Sequence, residues 1–164
     1  MSSLITKRIV AIAIDYMFVA LYAVLLFVVA VTFFETNDVG PINGQIIGFL
    51  SLTLPVFLYF YLSEKSKRRA TLGKKILKIS VDSHQNKNIF YRNVLKFLPW
   101  EIAHIGMHWM YYFSNQEAKE PIWVWIVLLL PQIVVIIYIV SLFLNKGSAT
   151  IYDKIAKTKI INKN

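Results

Sequence analysis

KRIVAIAIDYMFVALYAVLLFVVAVTFF, residues 7–34, decides the fold. After Lys7 and Arg8 the only ionisable acid or base before Phe34 is Asp15. A bilayer core of about 30 Å needs roughly 20 helical residues, so 9–34 spans it with tilt. The apolar core of a secretory leader is only roughly 7–15 residues long. The segment therefore reads as a retained first span. Two more stretches have the same character: 45–62, with Pro55 as an expected kink, and 122–144, which contains Pro131. Prolines are tolerated inside membrane helices because neighbours satisfy the freed carbonyls.

Composition agrees. The chain of 164 residues is 57% hydrophobic and 16% charged, with mean hydropathy +0.54. A soluble domain carries about 25% charged residues, so this one reads as a membrane protein. The absence of cysteine excludes disulfides, thiolate chemistry and cysteine-ligated metals. A net charge of +9 would point to nucleic acid in a soluble protein. Here the charge is read against the spans, and no folded soluble module is present to position it on nucleic acid.

The segment 93–113 (NVLKFLPWEIAHIGMHWMYYF) has the length of a span but contains Lys96, Glu101, His104 and His108. Charge placement arbitrates. The stretch 63–96 holds ten Lys/Arg, 145–164 holds five, and 114–121 holds only Lys119. If 93–113 spans, both termini and the basic loop are cytoplasmic, and the outer loops hold Glu35, Asp38, Glu117 and Glu120. The tendency of Lys and Arg to stay inside favours this arrangement. The alternative is an interfacial helix at 93–113. The expected fold is an all-α transmembrane bundle of four helices, forming one domain over 1–164.

The loop between the second and third spans opens with the basic run Lys65–Arg69. Such a run fixes topology near anionic lipid. Leu77, Ile79 and Val81 alternate with Lys78, Ser80 and Asp82, which predicts a short strand. HQNKN, residues 84–88, then reads as the turn of a small hairpin.

An Asp in mid-helix costs roughly 2.5–3.5 kcal/mol on insertion scales. It faces the bundle, pairs, or becomes protonated. Glu101, His104 and His108 follow E-x-x-H-x-x-x-H and share one helix face. Helical rise places Asp15 about 10.5 Å past Arg8, and Glu101 about 13.5 Å past Arg92. A polar layer of Asp15, His104 and Glu101 is therefore expected, joining the first and third spans. Its readings are helix–helix glue, a proton or monovalent-cation path, or a metal site. The metal reading lacks the H-E-x-x-H order and a second motif, so no metal or cofactor is assigned. No nucleophile elbow, P-loop or dinucleotide fingerprint is present, and no enzyme activity is expected. The long offset separates Arg8 from Asp15. Asp153, just past the fourth span, stands at a better height for Arg8.

With these residues in place, the sequence resembles the RDD family of small bacterial membrane proteins, named for an arginine and two aspartates. The matching residues are Arg8 and Asp15 in KRIVAIAIDYM, and Asp153 in TIYDKIAKTKII. ATLGKKILKISVD resembles the family's T-x-G-K segment, with Thr71, Gly73 and Lys74 at the motif positions. Arg92-Asn93 resembles the pair that opens its third span. The chain departs from the family in having Tyr152 before Asp153 and A-K-T at 156–158. The resemblance implies a multi-pass protein of the bacterial cytoplasmic membrane with two candidate roles. One is a regulatory partner of another membrane protein, for example a membrane-bound peptidase. The other is monovalent cation/proton antiport, with Asp15 as the ion site in an oligomer. Four helices without an inverted repeat leave little room for alternating access, so the accessory role is the expected one. The partners expected are lipid and a membrane protein or a second copy, and not nucleic acid.

Overall fold

The computed structural model describes residues 3–33 and 39–163. Phe34, at the end of the expected first span, and the loop acids Glu35 and Asp38 lie outside the described residues. α1 runs Leu4–Phe33. α2 (Pro41–Gly48), a π-helical segment (Phe49–Thr53) and α3 (Leu54–Lys65) join into a second rod. A short α4 (Leu72–Ile76) and β1 (Ile79–Asp82) follow. Two further rods come next, α5 (Asn86–Asn115) and α6 (Ile122–Leu144). α7 (Ile151–Ile155) and β2 (Lys159–Asn162) complete the chain.

Three rods are long and apolar enough to cross a bilayer: Leu4–Phe33, Pro41–Lys65 and Ile122–Leu144. The expected third span at 93–113 lies inside the longer α5, which carries Lys87, Arg92, Lys96 and Glu101 and is less apolar than the others. It runs antiparallel to α6. Tyr138 donates to the Leu95 carbonyl at 3.0 Å, and further along Trp109 meets Trp123 edge-on at 5.4 Å.

The packing is that of membrane helices. No residue in the most apolar window of α1 is buried, and Leu21 and Phe27 are 62% and 69% exposed. Water would not solvate such a surface favourably, whereas lipid tails do. The most deeply buried side chains include Arg92, Glu64, Asn93, Asp15 and Asp153.

Three prolines stand inside the rods, and each lacks the N–H that would bond the carbonyl four residues earlier. For Pro55 that carbonyl belongs to Ser51, which accepts the Tyr22 hydroxyl at 2.6 Å. For Pro99 it belongs to Leu95, which accepts Tyr138. Two tyrosines thus replace lost helix bonds and tie rod to rod. The irregularity expected at Pro55 takes the form of the π-helical segment just before it.

The start of α1, the end of α3, the start of α5 and the end of α6 converge at one end of the bundle. There β1 pairs antiparallel with β2, with Ile79 opposite Asn162 and Asp82 opposite Lys159. The expected strand is present, but the hairpin is not. Asn86 already begins α5, and 84–88 leads into no second alternating run. The C-terminal tail supplies the partner instead, and its Ile160 packs with Ala11, Ile79 and Val81.

Gly73 lets α4 lie directly on α1. A Cβ there would sit on the Ala11 carbonyl oxygen, which cannot move without breaking α1. Gly73→Ala should therefore lower stability by roughly 1–3 kcal/mol. Denaturation of the purified protein in mixed micelles measures this, and an unchanged midpoint would show that α4 moves away freely.

Candidate functional site

The converging end holds a row of alternating charges. Lys74 of α4 pairs with Glu64 of α3, and Glu64 pairs with Arg92 of α5. Arg92 Nε reaches Asp153 of α7 at 2.7 Å, and Asp153 Oδ2 lies 3.0 Å from Arg8 of α1. All five residues are at most 6% exposed. Each charge thus finds its opposite away from water, which buried charges require.

The remaining polar atoms are also largely satisfied. Asn93 donates to Glu64 at 3.0 Å. Arg8 also donates to the Gly147 carbonyl at 3.0 Å. Gly147 has φ +80°, and a Cβ there would lie 2.7 Å from the Ile5 nitrogen, so glycine alone permits this approach. Asp153 is also the third residue of α7 and closes a capping box with the N-cap residue Thr150. The Thr150 N–H and hydroxyl both donate to Asp153 Oδ2 at 2.9 Å. The Tyr152 ring lies 5.4 Å from the Arg92 guanidinium. Burial alone would raise the Asp153 carboxyl, but Arg92 and Arg8 hold it down to about 2. Burial pushes the Lys74 ammonium below its ordinary value, and Glu64 opposes the shift.

Asp15 stands apart from this row. Its carboxylate accepts Tyr59 at 2.9 Å, Thr71 at 2.5 Å and the Gly73 N–H at 2.9 Å. The Tyr59 hydroxyl also accepts the Leu72 N–H at 3.1 Å. Two orphan donors in the first turn of α4 are thereby met from α1 and α3, with negative charge at the helix's positive end.

The expected layer of Asp15, His104 and Glu101 does not form. Equal depth on two helices brings side chains together only if the helices are neighbours on those faces. α1 packs mainly on α4, while α5 packs on α6 and the second rod. Glu101 accepts from Gln45 of α2, His104 stacks edge-on with Trp100 at 4.5 Å, and His108 lies beside Gly44 and Gly48. Glu101 Oε2 and Gln45 Oε1 are buried without a partner. Among the described residues no three His, Cys, Asp or Glu side chains gather to hold a metal ion.

The roles of Glu64, Lys96, Tyr59 and Thr150 go beyond what the sequence led one to expect. Glu64 ends an apolar span beside a basic run, where a solvated acid looks the same. Lys96 has its Nζ 3.4 Å from the centroid of the Phe60 ring, a cation–π contact that no spacing announces. Thr150 was legible as T-x-x-D, the signature of a capping box.

Fold and site together define a membrane protein whose helices are pinned at one end by buried charge. The chain belongs to the RDD family, whose model matches residues 3–157. No curated protein and no solved structure matches it. Of the arginine and two aspartates by which the sequence resembles the family, Arg8 and Asp153 are bonded to each other, and Asp15 caps α4.

Asp153→Asn leaves two buried guanidiniums short of a carboxylate and should cost about 3–5 kcal/mol, read from denaturation midpoints. Acid should act through the same group. Its carboxyl is held at about 2 when folded against an ordinary 3.8, so its contribution is complete above pH 3.8. As pH falls from 3.8 toward 2, about 2 kcal/mol is lost. A stability profile of the wild type that is flat over this range would refute the assignment.

Proposed function

We propose that this chain is a non-enzymatic, multi-pass protein of the bacterial cytoplasmic membrane. In this reading it serves as an accessory or regulatory partner of another membrane protein, such as a membrane-bound peptidase. One observation carries the reading: the family's charged residues are consumed in holding the chain's own elements together. Three of the roughly four lone-pair positions of Asp15 are taken by fixed donors. A carboxylate that binds and releases an ion needs vacant positions on a path. A framing carboxylate does not.

The topology that goes with this role has four spans, with α5 as the third and both termini and the basic loop in the cytoplasm. The clustering of Lys and Arg in 63–96 and 145–164 supports it. So does the convergence of both chain ends with that loop through Arg8, Arg92 and Asp153.

A second reading, monovalent cation/proton antiport by an oligomer, draws on the partnerless Glu101 Oε2 and Gln45 Oε1. It moves the ion-binding group from Asp15 to Glu101.

Isolation from native membranes in mild detergent at native expression should recover a specific membrane protein in near-stoichiometric yield. Recovery of this chain alone would count against the partner role. If wild-type vesicles instead show cation-driven proton flux that Glu101→Gln abolishes, the antiport reading takes its place. Reporter fusions after residues 40, 85, 117 and 164 test the topology, and an external signal at 164 overturns it.

A further inference from the structure

At the same end of the molecule as the charge row, where β1 and the C-terminal tail meet α4, lies a basic cavity of about 290 Å³. Arg68, Lys75, Lys78 and Lys163 line it, together with Ala70 and Ile79. The four cations come from the loop, from α4 and its following turn, and from the end of the tail. The β1–β2 ribbon brings the last of them into place, with the Lys163 N–H bonded to the Lys78 carbonyl at 2.8 Å. The lining contains no acid. Among the described residues none of the four has a carboxylate within ion-pair distance, although Asp82 on the same ribbon does pair with Lys159. Arg69, between two lining residues in the chain, keeps a buried Nη1 without a partner.

We propose that this cavity binds a phosphate-bearing anion, and specifically the headgroup of an anionic phospholipid. Phosphate chemistry follows from four converging cations without a counter-charge. A lipid source follows from the surface beside them. Leu72 and Ile76, four residues apart on α4, are 42% and 63% exposed and lie on one helical face flanked by Lys75. An exposed apolar pair bordered by lysines is the pattern of an element lying in the membrane interface. It places the cavity at headgroup depth, where local anionic lipid is abundant. The site adds a ligand and does not depend on the accessory role.

The test compares lipid retention by the full-length protein in native mass spectrometry, with the four lining cations changed together to glutamine. The control removes four exposed lysines elsewhere: Lys87, Lys119, Lys154 and Lys157. The probes are phosphatidylglycerol, phosphatidylcholine and inorganic phosphate. Wild type and control should hold phosphatidylglycerol roughly tenfold or more tightly than the cavity variant, with no such gap for phosphatidylcholine. Equal retention by the cavity variant and the control would overturn the site. Displacement of the lipid by inorganic phosphate at low millimolar concentration would reassign the cavity to a soluble anion and overturn the lipid source. Circular dichroism and gel filtration of the variants confirm that the fold survives, as the exposure of the substituted side chains predicts.

Discussion

The Arg92 guanidinium lies between two carboxylates, Glu64 and Asp153, and the rest of the structure is arranged around that contact. Arginine suits the position because its donors lie in a rigid plane and it stays charged at any ordinary pH. The planar group joins α3, α5 and α7, and the flanking cations Lys74 and Arg8 extend the join to α4 and α1. Removing five charges from water costs much of what their attraction returns. The row is therefore better understood as fixing register than as a store of stability. An alternating sequence of charges has one arrangement in which every neighbour is opposite, and sliding any helix by a turn breaks it.

A second constraint runs through the same bundle. Within lipid, every backbone polar group must find a partner inside the protein. Here the partners often come from another helix. Tyr22 and Tyr138 serve the carbonyls that Pro55 and Pro99 leave free. Asp15 and Tyr59 serve the first N–H groups of α4. Elements that would be locally incomplete thus become points of attachment. The carboxylate in the first span is one of them: it anchors a short helix that crosses no membrane.

Much of this was legible in the sequence, for identifiable reasons. Spans announce themselves by length and apolarity, and Ile122–Leu144 falls on the expected limits. Asp153 was expected near Arg8 because it stands just past the fourth span while helical rise carries Asp15 away, and the two are bonded. The alternation at 77–82 gave the strand but not its partner, because strand pairing across the chain leaves no local mark. The polar layer failed for a related reason. Depth along a helix can be counted, but rotation and neighbourhood are set by packing. Glu64 shows the limit most clearly. Its residue type and position are those of an interfacial acid, and only the approach of α4 and α5 buries it.

The contacts between the tail and the middle of the chain have a bearing on biogenesis. Arg92 is made 61 residues before Asp153. At ribosomal speeds of about 5–20 residues per second, that leaves an interval of roughly 3–12 s. During it the early helices lie in or at the bilayer with a buried-type arginine lacking one of its carboxylates, and with β1 an open edge. Both defects disappear together when Asp153 and β2 arrive and close the ribbon. A truncated or stalled chain carries them permanently. The segment 153–162 therefore closes contacts that the earlier helices hold open during synthesis, joining the start, the middle and the far end of the bundle in one late step.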